Sequence, residues 1–263
     1  MLFTHDTYHT PEGHRPTLGA RLCPWPEIPF YLRVLGIVFA SRWAVARGQY
    51  DGARWAASSE DIVRALEAVG IRVHVEGRDR LRAFDGPAVI VGNHMSTLET
   101  FVLPAIVHPV KPVTFVVKES LLRYPVFGPI LRARDPIAVT RRNPRQDLAT
   151  VLREGAAFLD RGISVIVFPQ TTRSTDLHLG RFNSIGAKLA ARAGVPLVPL
   201  ALRTDAWGNG RWIKDFGRIR PELPVRFRFG PPIEPDRRGT AAHGACVAFL
   251  RETLREWGVP VRE

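Results

Sequence analysis

The sequence is poor in cysteine, and this scarcity limits its chemistry. Cys23 and Cys246 are the two cysteines among 263 residues, so there is no framework of disulfides and no cluster of thiolate metal ligands. We therefore expect a reducing compartment, no metal and no resident cofactor. The first residues also lack a basic stretch followed by an apolar run, which argues against a secretory signal.

Signatures of several common enzyme classes are missing as well. The sequence has no Gly-x-Ser-x-Gly elbow of the serine hydrolases and no Gly-rich phosphate loop with Lys-Ser/Thr. Acidic residues are in deficit, because 25 Asp and Glu face 37 Lys and Arg, which leaves a net charge of +12. That surplus favours a polyanion, an anionic bilayer or a phosphorylated small molecule as the partner.

No Ser/Gly linker or charge run divides the chain, so we predict a single α/β domain. Residues 1–27 are rich in Pro, His and Gly and predict an irregular N-terminal arm. Residues 28–70 predict a helical, membrane-interfacial segment, and residues 71–263 the main α/β domain. Within the helical segment, Ser58 and Asp61 resemble a capping box at the start of a short helix that ends at Gly70.

The segment 28–46, IPFYLRVLGIVFASRWAVA, is nearly long enough to cross a bilayer. Arg33 and Arg42 interrupt it, and a charge near the centre of a spanning helix costs about 2.5 kcal/mol or more. We therefore predict a helix that lies in the membrane interface, with a helix packed inside the protein as the alternative. The residues expected to meet apolar surroundings are Phe30, Val34, Ile37, Val38 and Trp43.

The rest of the chain alternates between strand and helix patterns. Residues 71–76 alternate apolar and polar side chains, and short apolar runs follow that are typical of buried strands. These runs are 88–91, 113–117, 136–139, 163–168, 195–202 and 225–229. Helical stripes within 148–159, 185–193 and 247–257 fall between or after them. This order predicts a largely parallel, twisted sheet flanked by helices.

In such sheets, ligands bind beyond the carboxyl ends of the strands. His94 follows the run Val89-Ile90-Val91, where its imidazole could take a proton from an alcohol. Glu99, five residues later, could bind the other ring nitrogen and stabilise the imidazolium. A purely structural alternative exists, because Ser96 and Glu99 also match a helix capping box.

Four blocks together resemble the glycerolipid acyltransferases, a family that includes the 1-acylglycerol-3-phosphate acyltransferases. They occur in the family's order and span about half of the chain. The blocks are Asn93-His94 with Glu99; residues 118–128 with Ile137-Ala138-Val139-Thr140-Arg141; Phe168-Pro169-Gln170-Thr171-Thr172-Arg173-Ser174; and Val195-Pro196-Leu197-Val198-Pro199.

The resemblance implies roles for these residues. His94 would be the general base and Glu99 its support, while Arg141 and Arg173 would bind the acceptor's phosphate. The further substrate-binding candidates are Asn93, Lys118, Gln170, Thr171 and Thr172. Arg141 also belongs to a basic set with Arg132, Arg134, Arg142 and Arg145, which could instead be a solvated face or a lipid-headgroup patch.

Two departures from the family pattern bear on the acceptor. Glu99 stands where the family usually has Asp, which adds one methylene and keeps the hydrogen-bond chemistry. Gln170-Thr171 stands where it usually has Glu-Gly, which changes the charge and the backbone freedom of that loop. The acceptor therefore need not be a glycerol phosphate.

The resemblance implies an O-acyltransferase that moves a fatty acyl group to a hydroxyl of a lysophospholipid or related glycerolipid. The co-substrate would be acyl-CoA or acyl carrier protein. The protein would lie on the cytoplasmic face of the cell membrane, as a peripheral or monotopic protein on an anionic surface. The alternative is a non-catalytic, basic membrane- or nucleic-acid-binding protein on the same fold. We expect no nucleic acid, because aromatic residues are not interleaved with the basic ones.

Overall fold

The computed structural model describes residues 2–170, 172–211 and 213–263. Its helices are α1 Leu18–Leu22, α2 Glu27–Ala46, α3 Gly52–Ala68, α4 Asp79–Arg82, α5 Leu98–Val107, α6 Phe127–Arg132, α7 Pro144–Asp160, α8 Ile185–Ala193 and α9 Thr240–Glu256. Its strands are β1 Tyr8–His9, β2 Val73–Glu76, β3 Val89–Gly92, β4 Val113–Lys118, β5 Ile137–Val139, β6 Ser164–Val167, β7 Leu177–His178, β8 Leu197–Arg203, β9 Val225–Phe229 and β10 Val261–Arg262. Short 3₁₀ helices occupy Glu119–Arg123 and Leu179–Arg181.

The main sheet has the strand order β1-β2-β9-β8-β3-β6-β4-β5. The five strands from β8 to β5 run parallel, whereas β9 lies antiparallel to β8 and β1 antiparallel to β2. Two groups of helices flank the sheet, α7 to α9 in one and α2, α3, α5 and α6 in the other. The predicted fold, an α/β domain with a largely parallel sheet, is confirmed.

The centre of the sheet explains where the site forms. Strands β3 and β6 consist of the residues VIVG and SVIV, every one of them buried, as expected for strands covered on both faces. Strand β3 lies between β6 and β8 and parallel to both. The segments that follow β3 and β6 therefore leave the sheet side by side, and these segments carry His94 and Arg173.

Helix α2 faces the protein with one side and solvent with the other. It is long and apolar enough to cross a membrane by length and composition. Phe30 and Val34, which we expected in a membrane-facing set, are buried in the protein, and the Phe30 ring packs edge-on against Trp207 at 4.8 Å. Trp43 is exposed as expected, and Ile37 and Val38 are half-buried. The other exposed apolar residues of this helix are Ile28, Leu32, Leu35 and Phe39.

The start of α3 and the N-terminal arm also differ from the sequence pattern. Helix α3 begins at Gly52, where the Asp51 side chain accepts a hydrogen bond from the Arg54 N–H, so Ser58 is not its cap. The arm contributes β1 and α1. The buried guanidinium of Arg78 donates to the carbonyl of Phe3, which fixes the arm against the domain.

Gly186 allows α8 to pack closely on β3, the strand that leads to His94. A Cβ at Gly186 would lie 2.5 Å from Cγ2 of Val91, a contact too short for a stiff β-branched side chain to accept. We expect Gly186→Ala to lower the free energy of unfolding by about 1–3 kcal/mol, measured by urea denaturation.

Gly244→Ala provides the matched control, because no atom lies within 4 Å of the Cβ position at this helical glycine of α9. This substitution should raise the free energy of unfolding by about 0.5–1 kcal/mol, since alanine costs less backbone entropy in a helix. Equal effects of the two substitutions would contradict the packing account.

Candidate active site

His94 lies just beyond β3 in a largely buried position, with 7% of its surface exposed. Its ring stacks on the ring of Phe168, with a centroid distance of 4.6 Å and an interplanar angle of 11°. The Nδ1 atom lies 3.5 Å from Oε1 of Glu99, at the outer limit of a hydrogen bond, and has no closer partner among the described residues. The ring also lines a large cavity.

Glu99 is completely buried at the start of α5, and its carboxylate is held by the backbone that follows His94. Oε1 accepts hydrogen bonds from the N–H of Met95 at 2.6 Å and of Ser96 at 2.9 Å. Burial alone would raise the pKa of this carboxyl, but His94 and the Ser96 N–H outweigh burial and hold the pKa below its usual value. The carboxylate therefore holds the turn before α5 and faces the imidazole at once, while Thr97, the N-cap residue of the helix, makes no side-chain cap bond.

Two predicted substrate-binding residues hold the loops together instead of lining the cavity. Oε1 of Gln170 accepts a hydrogen bond of 2.7 Å from the backbone N–H of His94. The amide of Asn93 pairs with both the carbonyl and the N–H of Leu202 on β8. Both side chains are buried and bond to backbone groups, so in this structure they position the His94 loop, and their contact with substrate stays a prediction.

The remaining candidates of that loop are placed differently. Thr172 is exposed and outside the cavity lining, and Thr171 lies outside the described residues. The N–H of Ser174 donates to the carbonyl of His94 at 2.9 Å. Together with Gln170, this bond ties the segment after β6 to the segment after β3 on both sides of the histidine.

The cavity beside His94 has a volume of about 460 Å³. Its wall is mostly apolar and comes from α2, α3, α5, β4, α6 and the residues that precede α6. Its apolar lining includes Val34, Trp55, Phe101, Leu121, Phe127 and Ile130. A pocket of this size and lining suits a flexible hydrocarbon chain.

Three of the predicted cations, Lys118, Arg141 and Arg173, line the same cavity. Arg141 has a φ of +59°, a left-handed conformation that is strained in a residue with a side chain, and Asp147 accepts its backbone N–H. Partial burial of the guanidinium, and then the positive charge of Arg173, lower the pKa of Arg141, although the residue as a whole is exposed. Of the other basic residues around Arg141, Arg134 lines the cavity, while Arg132, Arg142 and Arg145 are exposed.

A loop between β8 and β9 contributes groups that sequence patterns did not single out. Asp215 forms an ion pair with Arg173, with 2.6 Å between Oδ1 and Nη1. Asn209 donates from Nδ2 to the carbonyl of Met95 at 2.9 Å. No local motif marks either residue, because their partners lie more than 40 positions away; the Phe168 ring, although inside a signature block, was likewise not expected to stack on His94.

Comparison with known proteins identifies the family of the chain. The Acyltransferase family matches residues 72–203. The 1-acyl-sn-glycerol-3-phosphate acyltransferase of Pseudomonas aeruginosa is 32% identical over 241 residues, which are 91% of this chain and 85% of that protein. The enzyme of the same description from Escherichia coli is 31% identical over 184 residues, 68% of this chain and 71% of its own.

A solved structure shares the fold. The crystal structure of the 1-acyl-sn-glycerophosphate acyltransferase from Thermotoga maritima aligns with a TM-score of 0.68 at 18% identity, over 90% of this chain and 97% of that one. The family match spans the strands and loops that build the His94 site, and the relatives align well beyond them. The chain therefore belongs to the acyltransferase family.

Proposed function

We propose that this acyltransferase moves a fatty acyl group from acyl-CoA or acyl carrier protein to the hydroxyl of a lysophospholipid, with His94 as the general base. The observation that carries the proposal is the meeting of three features in one cavity: the imidazole of His94, a largely apolar wall and the guanidinium groups of Arg141 and Arg173. The imidazole suits proton removal, the apolar wall a hydrocarbon chain and the cations a phosphate. A non-catalytic binding protein could use the apolar wall and the cations, but it would not need an imidazole that faces a buried carboxylate.

The chemical step follows from the surroundings of the imidazole. Nδ1 faces Glu99, so Nε2 is the atom left to take the proton of the acceptor hydroxyl as its oxygen attacks the thioester carbonyl. The buried carboxylate stabilises the imidazolium that forms. The tetrahedral intermediate then expels the thiolate, which takes the proton from the imidazolium, so no acyl-enzyme is needed. The distance of 3.5 Å between Nδ1 and Glu99 would shorten as charge develops on the ring.

The acceptor's headgroup would bind through Arg141 and Arg173, with Lys118 at the same cavity. A planar guanidinium can bind two phosphate oxygens at once, which sets headgroup orientation as well as affinity. The names of the relatives make 1-acylglycerol 3-phosphate the first acceptor to test. Gln170 is compatible with this acceptor, because its side chain is used to hold the His94 backbone.

We further propose that the protein works on the cytoplasmic face of the membrane, as a peripheral or monotopic enzyme. The support is the exposed apolar face of α2 and the net charge of +12. Arg47 lies over the Trp43 ring, 3.2 Å from its centroid, at the end of that face. This arrangement allows the Trp43 ring to enter the lipid while the Arg47 guanidinium stays at the headgroups.

His94→Ala tests the proposed function directly. Wild-type protein should release free thiol from acyl-CoA or acyl carrier protein only when the lysophospholipid is also present. The variant should lose roughly a hundredfold to ten-thousandfold in kcat, because the alcohol no longer has a base. His5→Ala is the matched control, since it removes an exposed imidazole from the N-terminal arm.

Two results would contradict the proposal. One is wild-type protein that releases no thiol with either donor, which would support the non-catalytic alternative. The other is a His94→Ala variant that keeps its melting temperature and turns over as fast as His5→Ala.

The double variant Phe39→Ser, Trp43→Ser tests the membrane face. We expect its partitioning onto anionic phospholipid vesicles to fall at least about tenfold in a pelleting assay, because burying one large apolar side chain contributes roughly 1.5–3 kcal/mol. Wild-type binding should also weaken as salt rises, since the basic surface contributes. Unchanged pelleting of the double variant, or wild-type binding that ignores salt, would contradict a peripheral attachment of this kind.

A further inference from the structure

Asp215 is the one carboxylate that lines the cavity within the part of the chain that the structure describes. It forms its 2.6 Å ion pair with Arg173 through a single guanidinium nitrogen. The two side chains are 30% and 17% exposed, so the pair lies at the mouth of the cavity and in partial contact with water. The proposed function assigns the acceptor's phosphate to this same guanidinium.

The loop that carries Asp215 is built to hold it in place. The indole N–H of Trp207 donates to the backbone carbonyl of Asp215 at 3.0 Å. Two strand-like segments of the loop meet at Gly208 and Gly217, where a Cβ on Gly217 would come within 1.8 Å of the Gly208 carbonyl oxygen. The backbone on both sides of Asp215 is therefore closely packed, and the ion pair can open by rotation of side chains without movement of the loop.

Helix α2 supports the loop from the other side. The Tyr31 hydroxyl donates to the carbonyl of Gly217, and a Glu27 carboxylate oxygen accepts the N–H of Ile219 at 3.1 Å. The Tyr31 ring also packs against Phe216, next to Asp215, at 5.1 Å. The position of Asp215 is thus determined by the fold and differs in this respect from the exposed surface ion pairs of the chain.

We propose that Asp215 is a specificity-determining residue, an internal carboxylate that occupies Arg173 and must be displaced by the acceptor's phosphate. The inference rests on the proposed function, because it takes Arg173 as a phosphate-binding residue. Arg141 and Arg173 are like charges that line the same cavity, and an anion beside them is favourable whether or not substrate is present. Asp215 supplies one negative charge through one contact, whereas a phosphate brings more charge and can use both arms of the fork.

This exchange means that an acceptor headgroup must bind Arg173 more strongly than Asp215 does. A phosphate can displace the carboxylate because it binds the guanidinium more strongly, whereas an acceptor without an anionic group cannot. Asp215 would thus weaken the binding of every acceptor that uses Arg173 and exclude those with a weak anion. Its removal should raise affinity for anionic headgroups and leave the chemical step at His94 intact.

Asp215→Asn tests the inference, because it removes the charge and keeps the shape. We expect the KM for 1-acylglycerol 3-phosphate to fall roughly twofold to fivefold, the upper range of a partly exposed ion pair, with kcat within about twofold. The KM for a monoacylglycerol, which lacks the phosphate, should not change. Glu222→Gln removes one exposed carboxylate outside the cavity lining and should change neither KM.

Calorimetric titration with inorganic phosphate gives a readout that does not depend on turnover, and Asp215→Asn should bind it more tightly than wild type by a similar factor. Asp215→Ser repeats the test if the asparagine variant melts early. An unchanged or raised KM together with unchanged phosphate binding would overturn the inference. Tighter phosphate binding in a protein that transfers no acyl group would keep the inference about Asp215 and refute the proposed acyl transfer.

Discussion

The buried carboxylate of Glu99 is the group on which the rest of the site depends. It accepts the N–H groups of Met95 and Ser96 and thereby fixes the turn that leads from β3 into α5. The same oxygen that accepts these bonds faces Nδ1 of His94. Burial of a carboxylate costs free energy unless hydrogen bonds and a partner compensate it. Here the backbone N–H groups supply the hydrogen bonds and the imidazole is the partner. The same carboxylate therefore stabilises the turn and orients the imidazole of His94.

The parallel sheet brings this turn next to the other segments of the site. Because β3, β6 and β8 lie side by side, the segments that follow them meet at one edge, where Gln170 and Asn93 bind backbone groups of their neighbours. These bonds orient the histidine from outside the cavity. The cavity itself is left to the apolar side chains of the helices and to the cations, which separates the positioning of the base from the binding of lipid.

The sequence predicted the fold well where one physical rule dominates. Strands such as β3 and β6 are buried on both faces, so their continuous apolar runs mark them plainly. Helix α3 was harder, because Ser58 and Asp61 satisfy the spacing of a capping box inside a helix that Asp51 begins. In α2 the prediction was wrong about which face of the helix is covered. Phe30 and Trp43 are both aromatic residues of one apolar segment, and the sequence does not show that Phe30 packs against Trp207.

Within the site, too, the sequence identified some residues but not the contacts that they make. His94, Glu99, Arg141 and Arg173 could be named because their order along the chain resembles a family. The fold places His94, Arg141 and Arg173 in one cavity lining and Glu99 beside His94. Asn93 and Gln170 lie in the same motifs but bind backbone, which no spacing reveals. Asp215 carries no local signal, because it reaches Arg173 through a loop that is 42 positions away in the chain.

The most direct test of the central claim is the protonation of the two His94 ring nitrogens, read by nitrogen NMR in ¹⁵N-histidine-labelled protein near neutral pH. Glu99 should hold the proton on Nδ1 and leave Nε2 as the unprotonated base, and this preference should weaken in Glu99→Gln. A proton on Nε2 in the wild type, with Nδ1 bare against the carboxylate, would contradict the account.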